Sequence, residues 1–160
     1  MKFKLYNISL ILGLITTLNA QSQDKNEKPI EYNIIAEGVD SPIPKLQIVC
    51  FNKFFNESYL PVYFRNKYKL NEKSLYKKKM LVEIFESRLD QGLDKIKLNG
   101  IKENDKEVII DYDIINDDSS NDNKRLSPFV IIQIPKSKKT IKFIANGIPL
   151  EEDEKIYVNQ

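Results

Sequence analysis
The sequence predicts an α+β domain: a largely antiparallel β-sheet, or two packed sheets, with one or two short helices toward the N-terminal side. Three observations predict it. A succession of β-branched and alternating apolar runs fills the chain from Leu46 to Ala145. Polar loops of about five residues separate several of these runs and are too short to hold a crossover helix. A helical spacing of apolar residues is clear in one place alone, between Asn52 and Leu60.

The elements follow in order. Lys2 and Lys4 precede the apolar run Ile8–Ile15, which continues to Leu18, and Leu18-Asn19-Ala20 ends in a small residue before the polar Gln21–Asp24. A positive start, an apolar stretch too short to span a bilayer and a small residue at the junction describe a cleavable secretory signal over residues 1–20. An uncleaved anchor or a buried core helix is the alternative. Residues 21–31 read as a flexible leader, and 32–146 as one domain followed by an acidic tail, 147–160. Cleavage removes two lysines and leaves 23 basic against 23 acidic residues, so net charge argues neither for nucleic acid nor for any other charged partner. Roughly 140 residues form a domain able to bury a core without disulfides.

Within the domain, Tyr32–Gly38 reads as extended, Ser41-Pro42-Ile43-Pro44 as a rigid connector and Leu46–Phe51 as a strand. Asn52 is a helix cap, Phe55, Tyr59 and Leu60 share one helical face, and Pro61 ends or bends the helix. Residues 62–77 are expected to be a loop with a partial second helix near Glu72–Lys77. Met80–Phe85 alternates, but Leu81 and Phe85 suggest burial on both faces. Leu93–Ile101 is a weaker strand, with Ile96 and Leu98 two apart. Ile110, Tyr112 and Ile114 point inward while Asp111 and Asp113 point out. Phe129–Ile134 is a central strand closed by Pro135, and Thr140–Ala145 a strand ended by Asn146-Gly147. Lys102–Lys106 and Pro135–Lys139 are expected to be hairpin loops. Lys155–Val158 is either a further edge strand or a frayed end.

The chain has no histidine, which excludes Ser-His-Asp and Cys-His catalysis and leaves a poor set of zinc ligands. No phosphate-cradling glycine motif occurs among its five glycines. Cys50, inside Ile48-Val49-Cys50-Phe51, reads as a small buried hydrophobe, with a reactive thiol or an intermolecular disulfide as the sharper alternative. The acidic run from Asp111 to Asp122 fits an EF-hand in neither register tried, since Ile115, Asn116 and Pro128 stand at ligand or turn positions. An irregular calcium loop at Asn116–Asp122 is weighed against a solvated loop. Glu83 and Glu86 are read as solvent-facing strand charges rather than as a paired-carboxylate site. No catalytic residue, cofactor or metal is therefore assigned.

Charge is segregated. Residues 65–79 hold Arg65, Lys67, Lys69, Lys73, Lys77, Lys78 and Lys79 against Glu72, with Tyr68 and Tyr76 interleaved, while residues 103–123 hold eight acids against Lys106. Arg65, Lys67, Lys69, Lys77, Lys78 and Lys79 are the candidate polyanion contacts. A solvated face and a protein contact are the other readings of this stretch.

The order of pieces also carries a resemblance. Ile34-Ile35-Ala36-Glu37-Gly38 leads through a Ser-Pro-Ile turn into Leu46-Gln47-Ile48-Val49, then an aromatic-bearing helix, the strand Met80–Phe85 and a strand pair. Ser127-Pro128-Phe129-Val130-Ile131-Ile132-Gln133-Ile134-Pro135-Lys136 closes into Ile141-Lys142-Phe143. Over about residues 34–144 this resembles the C-terminal domain of the PrcB family, exported bacterial proteins named for an accessory subunit of a surface protease complex. Members usually carry a Gly-Gly-Tyr step where this chain has Asp90-Gln91-Gly92-Leu93, so these four residues are the candidate partner contact, altered relative to the family. The resemblance implies a non-enzymatic accessory or binding protein of the periplasm or cell surface, acting on another exported protein, with a protease complex as one such partner. A secreted ligand- or polyanion-binding domain using the basic stretch 65–79 is the alternative. Partner identity and oligomeric state are left open by the residues.

Overall fold
The computed structural model describes residues 26–86, 93–116 and 126–151, and the backbone of 155–157. The expected secretory signal over residues 1–20 lies outside them, as does most of the acidic loop after Asn116. Among the described residues, two five-stranded sheets and a helical layer are stacked in the order helices, central sheet, outer sheet. The α+β expectation, with packed sheets and short early helices, is what forms.

The central sheet runs β10 (Lys155–Tyr157), β3 (Leu46–Cys50), β4 (Lys79–Phe85), β7 (Phe129–Pro135) and β2 (Asn33–Gly38). Its inner strands are covered on both faces. Met80, Val82 and Ile84 of β4, with Val130, Ile132 and Ile134 of β7, meet the outer sheet. Leu81 and Phe85 of β4, with Phe129 and Ile131 of β7, meet the helices. Burial on both faces is why these strands read as continuous apolar runs rather than alternations. The outer sheet runs β1 (Lys28–Pro29), β5 (Lys95–Glu103), β6 (Glu107–Ile115), β8 (Thr140–Ala145) and β9 (Ile148–Pro149). One of its faces supplies Ile96, Ile101, Val108, Ile110, Tyr112, Ile141 and Phe143 to the inter-sheet core.

The helical layer comprises α1 (Lys53–Tyr59), α2 (Val62–Lys67) and a 3₁₀ turn at Lys73–Tyr76. Asn52 caps α1 as its sequence position predicts, its side-chain oxygen accepting from the amides of Phe54 (3.0 Å) and Phe55 (3.3 Å). Leu60-Pro61 separates the helices. The second helix comes earlier than expected, at 62–67, with only a 3₁₀ turn in the Glu72–Lys77 region. Val62-Tyr63-Phe64 has low helix propensity, and tertiary packing overrides it. Phe64 is fully buried, its ring centroid 5.0 Å from that of Phe129 and 6.4 Å from that of Phe85.

Several boundaries and connections differ from the sequence reading. Pro135–Lys139 is not a hairpin loop. It carries the chain from the central to the outer sheet, where β8 lies parallel to β6; both ends look like hairpin ends because a short arch between sheets needs the same polar residues. The Lys102–Lys106 hairpin does form between antiparallel β5 and β6. Its turn is fixed by Asn104, whose side-chain oxygen accepts from the amides of Lys106 and Glu107, each at 2.9 Å. A register shift between Leu98 and Gly100 explains why the buried positions of β5 run Ile96 then Ile101. Lys28–Pro29, placed in the leader, pairs with β5, while Ile148–Pro149 and Lys155–Tyr157, placed in the tail, pair with β8 and β3. Strand pairing therefore extends beyond 32–146 on both sides.

Candidate functional site
The expected partner contact Asp90-Gln91-Gly92 lies outside the described residues. Leu93 is 2% exposed, which commits its side chain to packing. The basic stretch does not form one surface. Arg65 turns back on the helical layer, donating to the Leu60 carbonyl (3.0 Å) and the Asn71 side chain (2.8 Å), with Glu57 at 3.9 Å. Lys67 is bound to Asp40 at 2.6 Å, and Tyr68 donates to the other oxygen of Asp40 at 3.2 Å. The Lys67 bond holds the Asp40 carboxyl below the usual range and the Asp40 bond raises Lys67. Lys69, Lys77 and Lys78 are exposed and Lys79 is half-buried. Among the described residues no ion pair engages these four.

The two acids taken for solvent-facing charges are both buried, a correction of the sequence reading. Glu86 is 2% exposed and accepts from Gln47 Nε2 (3.2 Å) and the Tyr112 hydroxyl (3.1 Å). Glu83 is 0% exposed, and among the described residues neither of its carboxyl oxygens has a partner in hydrogen-bonding geometry, the polar side chains of Asn56 and Cys50 lying nearby. It occupies the middle of the helix-facing row of β4, between Leu81 and Phe85, with Ile48 opposite on one side and Ile131 on the other. The signal is present in the sequence: Glu83 is in phase with Leu81 and Phe85, whose apolar character suggests burial of that row.

Around Glu83 three strongly or fully buried groups form a polar relay. The Cys50 thiol donates to Asn56 Oδ1 at 2.9 Å, Asn56 Nδ2 donates to the Tyr76 hydroxyl at 3.0 Å, and Tyr76 donates to the Leu70 carbonyl at 2.9 Å. The relay ties β3, α1 and the 3₁₀ turn together beneath the helical surface. Burial pushes the Glu83 carboxyl up to about 7, against a weaker opposing pull from the nearby Asn56 and Cys50 side chains. Burial, reinforced by Glu83, also raises the Cys50 thiol and the Tyr76 hydroxyl. A raised thiol is the opposite of what a reactive cysteine needs. Cys50 is fully buried, as its apolar setting predicted. The relay's chemistry is that of a neutral, proton-holding core, whose members are all at most 7% exposed.

The outer side of the same layer is different. Phe54 of α1 and Val62 and Tyr63 of α2 are 65%, 61% and 63% exposed, with Tyr59 also on the surface. Phe55, Leu60 and Phe64 anchor the hairpin from beneath. The sequence pattern puts Tyr59 on one face with Phe55 and Leu60 and singles out neither Phe54 nor Tyr63; the helix at 62–67 is the feature that turns Val62 and Tyr63 outward. Among the described residues no three acidic or cysteine side chains converge on a point where a metal could sit, and no helix is long and apolar enough to cross a membrane. No family model, curated protein or solved structure matches the chain.

Proposed function
We propose that this chain is an exported, non-enzymatic binding protein that associates with another envelope or surface protein through its α1–α2 hairpin. The observation that carries the reading is the outward-facing set Phe54, Val62 and Tyr63, each more than three-fifths exposed. Large apolar side chains held out on a rigid element are the composition of interface anchors, aromatic ones above all. The hairpin is rigid because Phe64 and Leu60 are buried below it and Asn56 is tied into the relay. Export rests on the residues 1–20, and an accessory role toward a protease complex rests on the PrcB-like order of segments.

The test is recovery of the full-length protein, expressed with residues 1–20, from cross-linked cell envelopes. Wild type is compared with the double variant Phe54→Ser/Tyr63→Ser, each checked for native circular dichroism. A stoichiometric exported protein recovered with wild type, insensitive to salt and lost from the variant, supports the reading. The same recovery from both forms, or none from either, overturns it.

A further inference from the structure
The fold assembles a basic end that the sequence does not display. In the antiparallel pair β4–β7, the start of β4 lies beside the end of β7: Lys79 is opposite Pro135, and the Lys136 amide donates to the Lys78 carbonyl at 3.3 Å. Lys77, Lys78 and Lys79 therefore stand next to Lys136 and Lys138, residues nearly sixty positions away. Strand spacing and rise put the five backbone anchors within roughly 10–15 Å. Four of the five lysines are exposed and Lys79 is half-buried. Among the described residues none of the five is in an ion pair, whereas adjacent Lys139 is neutralised by Glu103 at 2.7 Å. The segments 73–79 and 135–139 contain no acid, and the next acid along β4, Glu83, is buried.

We infer that this end is a docking surface for a linear anionic polysaccharide carrying sulfate or carboxylate groups, independent of the hairpin reading above. Five uncompensated ammonium groups repel one another, weakly through water and less in salt, and a polyanion relieves that repulsion while releasing its own counterions. The cations are lysines, compact and mobile point charges without the planar fork that arginine brings to a single phosphate or carboxylate. They suit a repeating line of charges better than one precise anion. Nucleic-acid strands call for aromatic platforms, and membrane attachment calls for apolar side chains to insert. Neither segment building this end carries an exposed aromatic or large aliphatic side chain.

The experiment measures binding of the full-length chain to fluorescein-labelled heparin by anisotropy across a sodium chloride series. Engaging about five charges predicts a loss of affinity of roughly a hundredfold between about 50 and 200 mM salt. Lys77→Gln/Lys78→Gln/Lys136→Gln/Lys138→Gln removes most of the binding, while Lys95→Gln/Lys97→Gln, of exposed lysines on β5, leaves affinity within about twofold. Equal losses from both variants, a flat salt response, or tighter binding to phosphatidylglycerol vesicles or to single-stranded DNA overturns the proposal. The quadruple variant changes only exposed side chains, and its unfolding midpoint confirms that a loss of binding is not a loss of fold.

Discussion
Glu83 stands in register with Ile131 on the neighbouring strand, so a carboxyl group occupies a place in the helix-facing row whose neighbours are isoleucine, leucine and phenylalanine. Among the described residues its two oxygens have no partner in hydrogen-bonding geometry, and burial raises its affinity for a proton from an ordinary 4.5 to about 7. The sign of the consequence is opposite to that of a salt-bridged acid. Well below pH 4.5 Glu83 is protonated in both folded and unfolded chains and adds no pH-dependent cost. Above it the unfolded chain releases the proton while the folded chain holds it, so stability falls as pH rises through the window from about 4.5 to 7 and then levels off. The size is on the order of 3 kcal/mol. Urea denaturation of wild type and Glu83→Gln at pH 5 and pH 8 measures it. The wild type loses stability between the two, and the variant loses markedly less. Identical pH dependence in both would show that Glu83 is not the group responsible.

Asn56 is the joint of the relay, accepting from Cys50 and donating to Tyr76. Asn56→Ala leaves two buried polar groups short of a partner and opens space, a cost of about 2–3 kcal/mol. Tyr76→Phe costs about 1–2 kcal/mol, since it frees the Leu70 carbonyl and the Asn56 amide together. Because the residues are directly bonded, the double variant loses less than the sum, by more than the roughly 0.5 kcal/mol that independent sites show. Additive losses in urea titrations would rule out the bond.

The burial of Cys50 and the upward push on its thiol by burial and Glu83 make it inert in the folded chain. A chromogenic disulfide reagent at pH 8 reacts with it only as fast as the chain opens, and the rate rises along the urea transition. Rapid stoichiometric reaction in buffer alone would place the thiol at an accessible site instead.

How far the sequence reading reached depends on where the information lies. Strand positions, the Asn52 cap and the buried Cys50 were legible because local periodicity and composition determine them. The pairing of strands was less so. Pro135–Lys139 looks the same whether it turns within a sheet or arches between two, and only the parallel partner β6 decides. The helix at 62–67 was hidden because its stability resides in Phe64 against Phe129, a contact across 65 residues. The basic end was invisible for the same reason, being made by neighbours in space. Glu83 is where two signals conflict: phase along the strand places it inside with Leu81 and Phe85, while the general preference of charges for water points outward, and the phase decides.

Asn146-Gly147 closes β8 on β9 with both residues in the left-handed region, φ 51° and 76°, the conformation a two-residue hairpin favours. The two positions fail differently. A methyl group at Gly147 would meet nothing within 4 Å, so Gly147→Ala pays only for the backbone conformation, about 1 kcal/mol. Asn146 also accepts from the Ile114 amide at 2.8 Å, so Asn146→Ala adds a lost bond and costs about 1–2 kcal/mol. Asn146→Gly separates the two contributions: it removes the strain with the bond and is milder than alanine. An order in which glycine at 146 is the worst would refute the assignment of strain to this turn.

The last relationship is one of space. A Cβ on Gly38 would stand 2.9 Å from Cε1 and 3.3 Å from Cζ of Phe129, and 3.1 Å from an Asp40 carboxyl oxygen. Asp40 is at the surface and can give way, but Phe129 cannot easily do so. Its ring is 1% exposed and lies 5.0 Å from Phe64, 5.2 Å from Tyr68 and 6.1 Å from Phe85, centroid to centroid. Any shift to admit a methyl group must pass through this aromatic cluster, which also seats α2. Gly38→Ala is therefore expected to cost about 1–3 kcal/mol, the usual range for forcing extra volume into a packed core. Shrinking the ring should make room, so Phe129→Leu is destabilising alone yet loses little more when combined with Gly38→Ala. Urea midpoints of the four proteins read the coupling. Independent, additive losses would mean that Gly38 is required for its backbone alone and not for the closeness of Phe129.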